Sequence, residues 1–184
     1  MNKLSLEILI MLLLFCSSIS FSQQNETIAW SPEYKLEWKD YLGNLDPEVF
    51  ANAKTSYKIE FIPENVMVDE HDRMPNYKKI TVVAKFYKKH SWSISKDQEL
   101  LSHEQIHFDI AELFARKIRK RFLELKSKKE SRFSVFYSEY KSLWNECRIY
   151  QRKYDQETNH GVNTQKNKEW EKLVRENLTK LNSY

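Results

Sequence analysis

The chain has 184 residues, of which 41% are hydrophobic and 30% charged, and its net charge is +4 at pH 7. This length and balance are ordinary for one globular domain, and with only two glycines the sequence excludes glycine-rich linkers and phosphate-cradling loops. Positive charge is concentrated over residues 116–132, where we favour a solvated helix face over a polyanion contact. No nucleic-acid-binding motif accompanies that charge, so we expect no nucleic-acid partner.

The N-terminus has the pattern of a signal peptide. Lys3 supplies a positive charge, residues 8–15 form an apolar run, and small residues around position 20 suit a cleavage site after Ser22. The apolar run is too short for a comfortable membrane span. We therefore expect removal of residues 1–22 and a secreted or periplasmic protein without a transmembrane segment.

The two cysteines bear on how the protein is anchored and held together. Cys16 offers the alternative of a lipid anchor, which we favour less because Phe15 is bulky where a lipid-attachment motif needs a small residue. Signal cleavage would leave Cys147 as the only cysteine of a single domain over residues 23–184, which excludes an internal disulfide.

The first half of the expected domain has the patterns of short strands. Alternating apolar and polar residues predict strands over 34–38 and 57–62, and a run rich in β-branched and aromatic residues predicts a third over 80–87. We expect residues 90–95 to form a hairpin partner for the third strand. A polar loop over residues 64–78 separates the second and third strands.

The second half has the patterns of three helices. Ser95 and Gln98 have the spacing of a capping box that opens a helix running to about residue 125, with an apolar stripe at three-four spacing. A second helix is predicted from 133 to near Gly161, and a third lies within 170–181. The expected fold is α+β, with a small antiparallel sheet packed on the first helix and two further helices behind it.

The first helix carries the motif HExxH, made by His103, Glu104 and His107. Residues four apart lie on one face of a helix, so the two imidazoles can bind one zinc ion while Glu104 reaches a zinc-bound water. In a straight helix Glu112 points roughly 140° away from His107, so we interpret it as a salt-bridged structural residue rather than a ligand.

A catalytic zinc ion needs a third protein ligand and one open position. If the first two helices are antiparallel, the residue level with His103 is number 155 or one near it. We expect His160 to be the third ligand, with Asp155 as the alternative ligand or as a carboxylate that orients a ligating histidine. Tyr154 or Tyr150 is the candidate donor to an oxyanion that develops in the reaction.

Several stretches resemble motifs of the DUF922 family, which is described as predicted secreted zinc-dependent proteases of bacteria. They are residues 100–116 and 154–161, and more weakly residues 36–41 and 91–92. The resemblance implies a zincin-like fold over most of the mature chain, a secreted location, metal ligands at His103 and His107, and a catalytic role for Glu104.

These patterns lead to the expectation of a secreted zinc metallopeptidase that hydrolyses peptide bonds through a zinc-bound water, with Glu104 as general base. We expect a peptide or protein substrate to add to the strand around Trp92 through main-chain hydrogen bonds. The alternatives are a zinc amidase acting on cell-wall peptides and a non-catalytic envelope protein with a structural metal site. Binding of both Asp155 and His160 would favour the structural site.

Overall fold

The computed structural model describes residues 26–48 and 51–184. The predicted signal peptide, its cleavage site after Ser22 and the alternative anchor Cys16 lie outside the described residues. Over the described part of the chain, no helix has both the length and the apolar character needed to cross a membrane.

The strands form two small antiparallel sheets. The first sheet has three strands in the order β1-β4-β3, and the second pairs β2 with β5. The strands are β1 (Thr27–Ala29), β2 (Ala53–Lys54), β3 (Tyr57–Ile62), β4 (Thr81–Tyr87) and β5 (Trp92–Ser93). The strands predicted over 57–62 and 80–87 are therefore confirmed, with the second starting one residue later.

Strand β4 lies at the centre of the larger sheet because its sequence alternates as a half-buried strand requires. Val82, Ala84 and Phe86 are almost fully buried, and the residues between them are partly exposed. The buried face of β4 packs against the first helix, where the Phe86 ring lies 5.9 Å from that of Phe108.

Three helices complete the fold: α1 (Gln98–Ser127), α2 (Phe133–Thr158) and α3 (Thr164–Lys180). Helix α1 contacts strands β3 and β4 on one side and both other helices on the other. Its N-terminus is capped by Asp97, whose carboxylate accepts from the Leu100 amide at 2.8 Å, rather than by Ser95 as the capping-box pattern predicted. The coarse prediction of an α+β fold with small antiparallel sheets and three helices is confirmed.

One predicted strand and one predicted strand pairing are wrong. The Leu36 amide donates to the Gln105 side chain on α1 at 2.8 Å, and residues 34–38 run as irregular chain into a short 3-10 helix, Trp38–Asp40. Residues after β4 do not fold back as its hairpin partner. A 3-10 turn at Lys88–His90 redirects the chain, so that β5 pairs with β2 instead.

Glu112 forms the buried ion-pair network that we expected from its position on α1. Its Oε1 accepts from Arg116 Nε at 2.9 Å and from Arg119 Nη2 at 2.6 Å. The same guanidinium groups donate to the carbonyls of Leu178 and Tyr184, so Glu112 indirectly fixes the C-terminal end of the chain.

We predict that Glu112→Ala lowers the free energy of unfolding by about 2–4 kcal/mol, because two partly buried guanidinium groups lose their counter-charge. The matched control is Glu139→Ala, which removes a partner of Arg121 that is more exposed than Glu112 and is expected to cost at most about 1 kcal/mol. Urea denaturation of both variants measures the difference. Equal costs at the two positions would contradict this account of the network.

Candidate metal site between the first two helices

Helices α1 and α2 bring three metal-ligating side chains together. Nε2 of His103 lies 3.1 Å from Nε2 of His107, because four residues of helix place the two rings on one face. Oδ1 of Asp155 on α2 lies 3.3 Å from the first of these nitrogens and 3.0 Å from the second. Two imidazole nitrogens and a carboxylate oxygen therefore face a common point.

The Gln151 side chain fixes the orientation of the His107 ring. Its amide nitrogen donates to the His107 carbonyl oxygen at 2.9 Å, and its Oε1 lies 2.5 Å from His107 Nδ1. A carbonyl oxygen can only accept, so the amide nitrogen must face it and Oε1 must face the ring. His107 Nδ1 then carries a proton, so that Nε2 is the nitrogen available to bind a metal ion in the candidate site.

The His103 ring is held from three directions. Its Nδ1 lies 3.4 Å from Oδ1 of Asn167 on α3, and its plane stacks on the Tyr154 ring at 4.6 Å between centroids. On another side lies Gly161, with φ +85°, where an added Cβ would meet His103 Cγ at 2.9 Å. This glycine is required both by the left-handed backbone and by the close approach of the imidazole.

The charges of the site favour a cation at this point. Burial lowers the pKa of His107, but the hydrogen bond to Asp155 and the charges of Glu104 and Asp155 outweigh it and raise that pKa above its ordinary value. Burial raises the pKa of Asp155, yet hydrogen bonds from His103 and His107 hold it well below its usual range.

The donor set fits a divalent metal ion. Donors at about 2.0–2.2 Å in a tetrahedral arrangement lie roughly 3.3–3.6 Å from one another, only slightly more than the 3.0–3.3 Å that separate these three atoms. Without a metal ion, Nε2 of His107 would need a proton to bond Asp155 while already facing Nε2 of His103. A metal ion satisfies all three atoms at once.

Glu104 lies next to these donors on the wall of a cleft of about 960 Å³. The residue is only 5% exposed, yet its carboxylate forms no hydrogen bond or ion pair with another residue in 26–48 or 51–184. The same cleft is lined by His103, His107 and Asp155. A carboxylate with free acceptor capacity therefore adjoins the candidate metal position.

Two predicted site residues occupy other places than expected. His160 follows the end of α2 in left-handed conformation, its side chain is 77% exposed, and its Nδ1 lies 3.8 Å from Asp155 Oδ1. The three-donor group thus contains Asp155, the alternative ligand, and has His160 beside it at the cleft rim. Tyr154, the expected oxyanion donor, is fully buried, and its hydroxyl donates to Asn167 and to the His103 carbonyl.

Comparison with known proteins gives the family. The profile of DUF922, described as "Bacterial protein of unknown function", matches residues 65–161, slightly more than half of the chain. The chain belongs to the DUF922 family. The matched region contains the candidate ligands, Glu104 and His160. No curated protein and no solved structure matches this DUF922 chain.

Sequence reasoning missed the groups that orient the rings in this DUF922 protein. Gln151 is a polar residue within the apolar stripe of α2, and a buried amide there needs a partner, so the pattern contained a signal for it. Asn167 lies one turn into α3, and nothing in its local sequence distinguishes it from the exposed polar residues around it.

We predict that Gln151→Ala weakens zinc binding by about 10–100-fold, because the His107 ring loses the group that fixes its tautomer and orientation. Isothermal titration with zinc measures the change. The control is Gln156→Ala, which alters an exposed glutamine on the same helix and is expected to leave the affinity unchanged. The role assigned to Gln151 is contradicted if both variants bind zinc as the wild type does.

A substitution at Gly161 tests the packing against His103. Gly161→Ala is expected to lower zinc affinity and thermal stability together, because the new Cβ displaces the ring. Gly43→Ala is a matched control. Its Cβ would meet the carbonyl oxygens of Lys89 and Ser91 at 2.8 Å, and neither residue belongs to the three-donor group. We expect the control to lose stability while its folded form retains zinc affinity. Retained affinity in the Gly161 variant would argue against the contact.

Proposed function

We propose that this DUF922 protein is a zinc-dependent metallopeptidase that is secreted or periplasmic. The observation that carries the proposal is the juxtaposition of a three-donor group with the unpaired carboxylate of Glu104 on the wall of one cleft. Catalytic zinc sites use three protein ligands and keep one position for water or substrate. His103, His107 and Asp155 would hold the ion, in a zincin-like arrangement.

When bound, zinc would lower the pKa of a coordinated water and polarise a substrate carbonyl. The protein's own contribution begins with orientation. Gln151 and Asn167 accept from the outer nitrogens of His107 and His103, so that both inner nitrogens face the ion.

Glu104 is the proposed general base. Its position one residue after His103 places it on the cleft wall, and its carboxylate has no competing donor among the described residues. It can therefore accept the proton that a water nucleophile loses and later deliver it to the leaving amine. The family profile covers this residue, but the chemistry rests on the geometry alone.

The cleft favours a catalytic site over a structural metal clip. A clip would be closed by a fourth protein ligand, whereas the donor group contains three side chains and opens on a volume of about 960 Å³. His160 lies beside Asp155 and could be a further ligand, but its side chain is 77% exposed at the rim. A zinc amidase acting on cell-wall peptides would use the same groups, and the choice of substrate separates it from a peptidase.

We predict that Glu104→Gln lowers the rate of casein hydrolysis by about 10²–10⁴-fold while zinc content stays at that of the wild type, because only the proton acceptor is lost. The zinc-loaded protein starting at Gln23 is used, and hydrolysis is followed by release of amino groups. Glu99→Gln, which changes an exposed carboxylate in the first turn of α1, is the matched control with expected wild-type activity.

Other results would exclude the peptidase. Zinc-loaded wild type that is inactive on casein but cleaves cell-wall peptides would identify the amidase. Inactivity on both substrates, with a large drop in the unfolding temperature after chelation, would identify the structural clip. Equal rates for the wild type and Glu104→Gln would remove Glu104 from the mechanism.

A further inference from the structure

One edge of strand β2 opens on the cleft that contains the candidate metal site. The other edge is covered by β5, through the register Ala53 with Ser93 and Lys54 with Trp92. Residues 51–55 line the cleft together with Glu104 and the three metal donors. The backbone of β2 therefore forms one wall of the space in which a substrate would lie.

The register decides which backbone groups face that space. The Ile94 amide donates to the Asn52 carbonyl at 2.9 Å, so Asn52 and Ile94 are an antiparallel hydrogen-bonded pair. Such pairs alternate along a ladder, so Lys54 also points its amide and carbonyl at β5. The amide and carbonyl groups of Ala53 and Thr55 point to the opposite edge, and they bond no other residue among 26–48 and 51–184.

We infer that the outer edge of β2 is the substrate-binding strand and that the substrate is an extended polypeptide, bound through its main chain. This inference rests on the proposed function, which supplies the reaction at the adjoining metal site. Ala53 and Thr55 are two residues apart, so their free groups repeat at about 6.8 Å, the period of an added strand. A peptide strand satisfies both positions, whereas a small ligand satisfies at most one.

The side chains around the cleft indicate how little sequence discrimination this site would have. Leu45, Ile94 and Val162 line the cleft and are 54%, 62% and 74% exposed. They offer apolar contact to alternate side chains of an extended peptide but form no enclosed pocket. Main-chain recognition with weak apolar preference suits unfolded segments of proteins.

We expected the substrate to pair with the strand around Trp92. In the structure, the free strand edge at the cleft belongs instead to the neighbouring strand, β2. Strand β5 is already paired with β2, and Trp92 is buried and does not line the cleft. The free edge next to the metal donors belongs to Ala53 and Thr55.

A series of N-methylated peptides tests whether binding depends on every second backbone amide, as pairing with a strand requires. The probe is a blocked peptide of roughly six residues that ends in a hydroxamate, which fixes its register on the zinc ion. Each amide nitrogen is methylated in turn, and binding to the zinc-loaded Glu104→Gln variant is measured by titration. We expect methylation at alternate positions to weaken binding by about tenfold each, because it removes a donor and blocks the edge, with little effect at the positions between.

A variant of the strand provides the second measurement. Ala53→Pro removes the outward amide without breaking the ladder to β5, and it is expected to weaken peptide binding by about tenfold. Ala53→Gly keeps the amide and is the matched control, and zinc content and unfolding temperature report whether each variant is folded. Should the proline variant not fold, the methylation series decides by itself.

The outcomes separate this inference from the proposed function. Tight hydroxamate binding without a two-residue period in the methylation series overturns the strand assignment and leaves the metallopeptidase intact. Failure of the unmethylated hydroxamate to bind the zinc-loaded protein overturns both. A two-residue period in a protein that cleaves no peptide supports the binding strand and overturns the hydrolase.

Discussion

The candidate site depends on one packing relation, the antiparallel contact of α2 with α1. Helix α1 presents two imidazoles from one face, and a side chain from the facing helix completes the group. Asp155 does so because it lies one turn before the end of α2, level with His103 and His107. The apolar contacts that hold the helices together therefore also set the distance between nitrogen and oxygen donors.

Contacts behind the two imidazole rings connect the third helix to the site. Gln151 on α2 and Asn167 on α3 hold the two rings through side-chain amides, and the Tyr154 ring supports His103 from the core. Amides accept more weakly than the carboxylates that often orient ligating histidines, so they leave the imidazoles less electron-rich. Among residues 26–48 and 51–184, Asp155 would be the only carboxylate ligand of the proposed ion.

The sequence predicted most of this arrangement where local pattern and geometry agreed. Alternation identified β3 and β4, and helical periodicity together with a short turn placed residue 155 opposite His103. The prediction of a strand over residues 34–38 was wrong because a distant contact intervenes. The Leu36 amide donates to the Gln105 side chain on α1 instead of to a neighbouring strand. The sequence left the third ligand open between His160 and Asp155, because local pattern does not show how a loop leaves a helix. The end of α2 directs Asp155 toward the two imidazoles, and His160 follows beside it at the rim of the cleft.

The donor and orienting residues run from His103 to Asn167, and the ring of His103 contacts the last of them. A ribosome must therefore synthesise the chain through Asn167, and all three helices must dock, before the arrangement exists. In a chain that is only partly made, the imidazoles are scattered and the three-donor group is not assembled. For the proposed enzyme, the docking of the third helix would itself be a step that switches on proteolysis.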